Sequence, residues 1–182
     1  MLYIMRHGRT DWNAIHKLQG SADIPLNEEG RQMARDAREK YKDLKFDICY
    51  CSPLIRARET AEIFLEGRNV PILVDDRLQE MHFGAYEGIE NLFEKPECPV
   101  YKLFRDPAHY VAVNGAESIE ELCTRSKEFI EEVLCPELIN EKNVLIVAHG
   151  AFNCSMIRYY ENVPVERFWD NLQENCELKR LV

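Results

Sequence analysis

Val144-Leu145-Ile146-Val147-Ala148-His149-Gly150 is the stretch that decides the fold. Its first five residues are all apolar and stop abruptly at histidine and glycine. A run of that length and character matches a central parallel strand buried on both faces. Leu2 to Met5, Phe46 to Cys51 and Pro71 to Val74 read as further strands. Helical patterns lie between them. Glu28 to Tyr41 places Gly30, Met33, Ala34, Ala37 and Tyr41 on one stripe. Ser52 is expected as an N-cap with Pro53 at the first helical position, the helix continuing through Ala57, Ala61, Phe64 and Leu65. Ser118 and Glu121 form a capping-box pattern that opens a helix with Ile119, Leu122, Phe129, Ile130 and Val133 on one face. Another helix is expected from about Asn153 to Tyr160, and Asn175 to Val182 reads as an edge strand. Phe83 to Gly115, with Pro96, Pro99 and Pro107, reads as short helical pieces and loop. The alternation implies an α/β fold, a three-layer α/β/α sandwich with a mostly parallel central sheet and right-handed crossovers. At 182 residues the chain is expected to be one domain, with 83–114 as an inserted cap.

Composition narrows the partners. A hydrophobic fraction of 46% and a charged fraction of 30% are those of an ordinary globular chain, and a chain of this length buries roughly 70% of its unfolded surface. The net charge of -9 argues against nucleic acid or an anionic membrane as partner. It also means that cations must be gathered locally if the substrate is an anion. Met1 to Met5 is too short for the apolar core of a signal peptide, and Val144 to Ala148 is far below a membrane span. The seven cysteines include no Cys-x-x-Cys pair, so neither a disulfide framework nor a zinc site is expected. Reduced thiols in the cytoplasm are the expectation. The sequence sets no oligomeric state.

Open α/β sheets bind ligands beyond the carboxyl ends of their strands. Three strand ends here carry matching chemistry. The first gives Arg6 and His7. The second gives Ser52 and then Arg56 in the first turn of a helix, where the dipole favours an anion. The buried strand gives His149 and Gly150. Two arginines and two histidines at one sheet edge suit the charge and acceptor geometry of a phosphate group.

These residues sit in blocks that resemble the histidine phosphatase superfamily, the phosphoglycerate mutase-like family. The blocks are Arg6-His7-Gly8 with Trp12-Asn13, Leu18-Gln19-Gly20 with Asp23, Pro25-Leu26 and Gly30, and Ser52-Pro53-Leu54 with Arg56-Ala57 and Thr60-Ala61. Leu78-Gln79-Glu80 with Phe83-Gly84 and Glu87-Gly88, Gly115-Ala116-Glu117-Ser118 and Ala148-His149-Gly150 complete the series. The resemblance implies that His7 is the nucleophile that becomes phosphohistidine. It implies that Arg6 and Arg56 hold the phosphoryl oxygens, with His149 and Asn13 contacting the same group. It implies that Glu80 is the acid that protonates the departing alcohol and later helps activate water. No cofactor and no metal is implied. Neighbouring guanidinium groups would keep His7 neutral, and a bound phosphate dianion would favour the protonated acid.

Other residues read more plainly. Thr60 is expected to pack, Trp12 to form wall or core, and Glu117 and Ser118 to start a helix. His16, His82 and His109 read as surface or loop histidines, although His82 is close enough to Glu80 to be a candidate at the substrate mouth. Arg9 departs from the family, which commonly has an acid or amide there. It reads as a solvated charge, or, turned inward, as a cation for a second anionic group on the substrate. Other phosphatase chemistries fail on register. A cysteine phosphatase needs five residues between cysteine and arginine, whereas four separate Cys51 from Arg56 and six separate Cys49 from it. Asp75-Asp76 lacks the spacer of an aspartyl phosphatase, and no Walker loop is present. A mutase with the same histidine is the principal alternative. Between Ile89 and Asn114 the only cations are Lys95, Lys102 and Arg105, where glycolytic mutases of the family carry a long basic insertion. The chain is therefore expected to act on a small phosphorylated metabolite as a phosphatase, resembling the α-ribazole phosphatase or broad-specificity branch.

Overall fold

A computed structural model describes residues 1–182, the side chain of Phe93 excepted. Its five-stranded sheet has the order β3-β2-β4-β1-β5, formed by β1 (Leu2–Arg6), β2 (Ile48–Cys51), β3 (Ile72–Val74), β4 (Val144–Ala148) and β5 (Leu178–Arg180). β1 to β4 run parallel, and β5 lies antiparallel on the edge beside β1. β4 is central and wholly buried. The helices are α1 (Asp11–Ala14), α2 (Glu28–Lys40), α3 (Ile55–Leu65), α4 (Tyr101–Arg105), α5 (Ile119–Phe129), α6 (Cys135–Ile139) and α7 (Gly150–Glu161).

Strand alternation sorts the sheet's side chains into two cores. Leu2, Ile4, Ile48, Tyr50, Val144 and Ile146 share one core with Leu122 and Phe129 of α5 and Phe152 and Ile157 of α7. Tyr3, Met5, Cys49, Cys51, Leu145 and Val147 share the other with Ala34 and Ala37 of α2 and Ala57, Ala61 and Phe64 of α3. The result is the three-layer α/β arrangement expected from the strand and helix order.

Two helix starts differ from the sequence reading, for one physical reason. The N-termini are satisfied by carboxylates distant in sequence. α3 starts at Ile55, not Pro53, and its first N–H donates to Asp23 Oδ1 at 2.7 Å. Ser52 is therefore not its N-cap. α7 starts at Gly150, three residues before Asn153, because the Glu80 carboxylate accepts the amides of Ala151 and Phe152. α5 opens with the expected Ser118–Glu121 capping box and passes through a π-helical turn (Ile130–Leu134) into α6. Residues 83–114 form α4 and three short 3-10 turns joined by loop.

Candidate active site

Sheet register assembles the site. Arg6 pairs with Ala148 and Cys51 with Val147. The next residues along, His7, His149 and Ser52, thus leave three adjacent parallel strands at the same edge. The two imidazole rings lie 5.1 Å apart, and His149 Nε2 meets Ser52 Oγ at 2.7 Å. Ser52, expected as a helix cap, instead orients a buried histidine.

His7 is 3% exposed. Its Nδ1 lies 2.7 Å from the Gly8 carbonyl oxygen. A carbonyl only accepts, so Nδ1 carries the proton and Nε2 keeps its lone pair. The Gly8 amide donates to Thr60 Oγ1 at 2.9 Å, and the Thr60 hydroxyl donates to Arg56 O at 2.6 Å. Thr60, expected only to pack, thus ties the His7 turn to the helix carrying Arg56. Gly30 is required beside this turn, since a Cβ there would stand 2.0 Å from Arg9 O. Burial first, then the Arg56 and Arg6 guanidiniums, pushes the His7 pKa well below the ordinary imidazole value. Burial and then Arg56 and His7 do the same to His149.

The arginines have spare donors. Arg56 is fully buried, and its Nη1 and Nη2 donate to Ala22 O and Gly20 O, each at 2.7 Å. Arg6 Nη1 donates to Gln173 O at 2.7 Å. Among the described residues, three buried side-chain nitrogens lack a hydrogen-bond partner: Arg6 Nε, Arg56 Nε and His149 Nδ1. Burial lowers the pKa of both arginines, that of Arg56 to about 10, against the attraction of Glu80. Both remain cations at neutral pH. Glu80 Oε1 accepts the amides of Met81 at 2.9 Å, Ala151 at 3.1 Å and Phe152 at 3.2 Å. Gly150 separates it from Arg6: a Cβ there would stand 3.6 Å from both Arg6 Nε and Glu80 Oε2.

A cavity of about 490 Å³ opens over this cluster, lined by Arg6, His7, Arg56 and Glu80 among others. Asn13 lines it too. Its Oδ1 accepts the Thr10 amide at 3.1 Å in a capping box, leaving the NH₂ group as its donor. Arg9 reaches the mouth of the cavity, with its guanidinium on Glu29 at 2.8 Å. His82 does not line this cavity. It lines a second one that shares Glu80, and its Nδ1 accepts the Gly84 amide at 2.8 Å. Among the described residues no group of three or more His, Cys, Asp or Glu side chains is placed to hold a metal ion, and no helix is long and apolar enough to cross a membrane.

Sequence reasoning missed the 3-10 stretch Val165–Asn171 and the residues that follow it. Trp169, Glu174 and Asn175 line the cavity, and Asn175 Nδ2 donates to His7 O at 2.8 Å. No periodicity marks these residues. Lys17, also at the cavity, lies 3.6 Å from Glu90.

The two buried histidines set an acid limit on stability. In the unfolded chain they titrate near about 6.5, whereas the fold holds both well below that. Below about pH 6.5 the unfolded state therefore binds protons that the folded state refuses, so their contribution is whole above that pH and falls as pH drops. The melting temperature is expected to fall between pH 7 and pH 5, with a shallower fall in His149→Gln. An unchanged slope in the variant would refute the assignment.

With the geometry in place, comparison with known proteins supplies the class. The profile of the histidine phosphatase superfamily (branch 1) matches residues 2–182. The chain belongs to the histidine phosphatase superfamily and is an enzyme of that class. It is similar to an uncharacterized phosphatase, PhoE, of Bacillus subtilis (strain 168), 40% identical over 81% of this chain and 70% of the relative. It is also similar to a probable phosphoglycerate mutase, GpmB, of Escherichia coli O1:K1 / APEC, 34% identical over 99% of this chain and 83% of that one. The solved structure of YhfR of Bacillus stearothermophilus superimposes with a TM-score of 0.86 at 30% identity, over 96% of this chain and 86% of that chain. Among other curated relatives, the chain spans as little as 35% of the relative's length.

Proposed function

We propose that this chain is a metal-independent phosphomonoesterase that takes the phosphoryl group of a small phosphorylated metabolite onto His7 and passes it to water. The observation that carries the reading is the trio of unpaired buried nitrogens, on Arg6, Arg56 and His149, around an imidazole whose free lone pair is on Nε2. Unsatisfied buried donors are costly, and a phosphoryl group supplies the acceptors they lack.

His7 Nε2 attacks phosphorus while the P–O bond to the alcohol breaks. Glu80, protonated in the substrate complex, gives its proton to the leaving oxygen. Arg6, Arg56, His149 and the Asn13 amide hold the three peripheral oxygens as charge redistributes. In the second step water attacks phosphorus, the P–N bond breaks, and the Glu80 carboxylate takes the water's proton. Inorganic phosphate leaves and His7 returns neutral.

The mutase alternative returns the phosphoryl group to the substrate and needs further cations for a second anionic group. Segment 83–114, which we read as the specificity cap, instead offers carbon: Phe83, Leu92 and Phe104 line the cavity. The nearby cations Arg9 and Lys17 are engaged by Glu29 and Glu90. With purified protein in excess chelator, phosphate release from small phosphomonoesters is expected to persist. From 3-phosphoglycerate, release is expected to outpace isomerisation. A metal requirement overturns the first point, and faster isomerisation the second.

A further inference from the structure

We propose that Glu87 is a positioning residue for the phosphate site: its carboxylate clamps the Gly20–Ala22 turn, and that turn fixes the Arg56 guanidinium so that Nε stays uncommitted. The inference rests on the reading of Arg56 as a holder of the phosphoryl group.

Glu87 Oε1 accepts from the Ser21 amide at 2.8 Å, the Ser21 hydroxyl at 2.9 Å and the Phe83 amide at 3.2 Å. Oε2 accepts from the Ala22 amide at 3.0 Å. The carbonyls flanking that grip, Gly20 O and Ala22 O, are the two acceptors of Arg56 Nη2 and Nη1. One carboxylate thus sets both groups that aim the guanidinium. The turn is built to admit it. Gly20 has φ 57°, and a Cβ there would stand 2.2 Å from Glu87 Oε1.

All four partners of Glu87 are donors, so both of its oxygens must accept. Glutamine would turn an NH₂ group toward one of those donors. His82 Nδ1, 3.3 Å from Oε1, lies on the outer side of the same carboxylate. Glu87 also reaches across the chain, since the Ser21 contact spans 66 residues. Through Phe83, whose ring lines the cavity, the clamp joins the start of segment 83–114 to the phosphate site. Arg56, buried without a direct ion pair of its own among the hydrogen bonds above, has the Glu87 charge near it.

The test is a double-mutant cycle on the full chain, read as the calorimetric affinity for inorganic phosphate. Arg56→Ala is expected to weaken phosphate binding by about a hundredfold and Glu87→Gln by about tenfold. Because Glu87 acts through Arg56, the double variant is expected to bind within about twofold of Arg56→Ala alone. A merely structural role would make the losses multiply, and multiplied losses overturn the proposal, as does an unaltered affinity in Glu87→Gln. Wild-type affinity in Arg56→Ala would instead sink the reading of Arg56 itself. If Glu87→Gln does not fold, Glu87→Asp, which keeps the charge but withdraws it by one methylene, enters the same cycle under the same criterion. A chain that folds with neither assigns Glu87 to the fold alone and overturns the proposal.

Discussion

His7→Ala is expected to lower phosphate release by about four orders of magnitude or more with the fold retained. The loss is large because the variant has no group to carry the phosphoryl intermediate. A water in its place would meet the intact ester while Glu80 still holds its proton, so the carboxylate that activates water in the second step is not available to it in the first. The fold is expected to survive because the ring's one polar tie is to Gly8 O. The anchoring bonds are made by backbone: His7 N to Ala148 O at 3.0 Å and His7 O from Asn175 at 2.8 Å. Rapid quench of the native enzyme should show a phosphoryl-protein adduct that is lost in acid and absent from the variant. A variant that keeps a tenth of native activity would remove His7 from the mechanism.

Glu80→Gln separates two kinds of substrate. With an alkyl phosphate the departing alkoxide is a strong base and needs the proton, so kcat is expected to fall about a hundredfold to ten-thousandfold. With an aryl phosphate whose phenol is acidic, the first step needs no proton, and transfer to His7 should continue. Hydrolysis of the adduct still lacks its base. The expected signature is a burst of phenol equal to the enzyme present, followed by slow turnover. Equal losses for both substrates, with no burst, would show that Glu80 is not the acid. Its amide contacts with Met81, Ala151 and Phe152 also anchor α7, so unfolding should be measured alongside. Gln retains one carbonyl oxygen for those donors.

The legible part of this protein is the part that strand register delivers. Arg6-His7 and His149 can be placed together from sequence because parallel strands end level, and apolar runs mark where they end. Arg56 follows, since helices after such strands begin at the same edge. What resists reading is contact across distance. Gln173 and Asn175 seize Arg6 and His7 from 167 and 168 residues away with no local pattern to announce it. Ser52 looked like a helix cap because serine before proline often is. The real partner of α3 is Asp23, 32 residues upstream of Ile55, and Ser52 is spent on His149. Arg9 admitted two orientations from sequence. In the structure Arg9 lines the cavity while its guanidinium meets Glu29, in the first turn of α2.

The bond from His7 to the Gly8 carbonyl has a consequence for isomer chemistry. Imidazole can be phosphorylated on either nitrogen, giving two stable-enough regioisomers that differ in basicity and in how they leave. With Nδ1 engaged by a carbonyl only 2.7 Å away, just one nitrogen has an available pair. The adduct that the proposed mechanism forms would therefore be the tele isomer, 3-phosphohistidine. In that mechanism one backbone oxygen, supplied by the residue next door, would act as the regiochemical guide for the whole reaction.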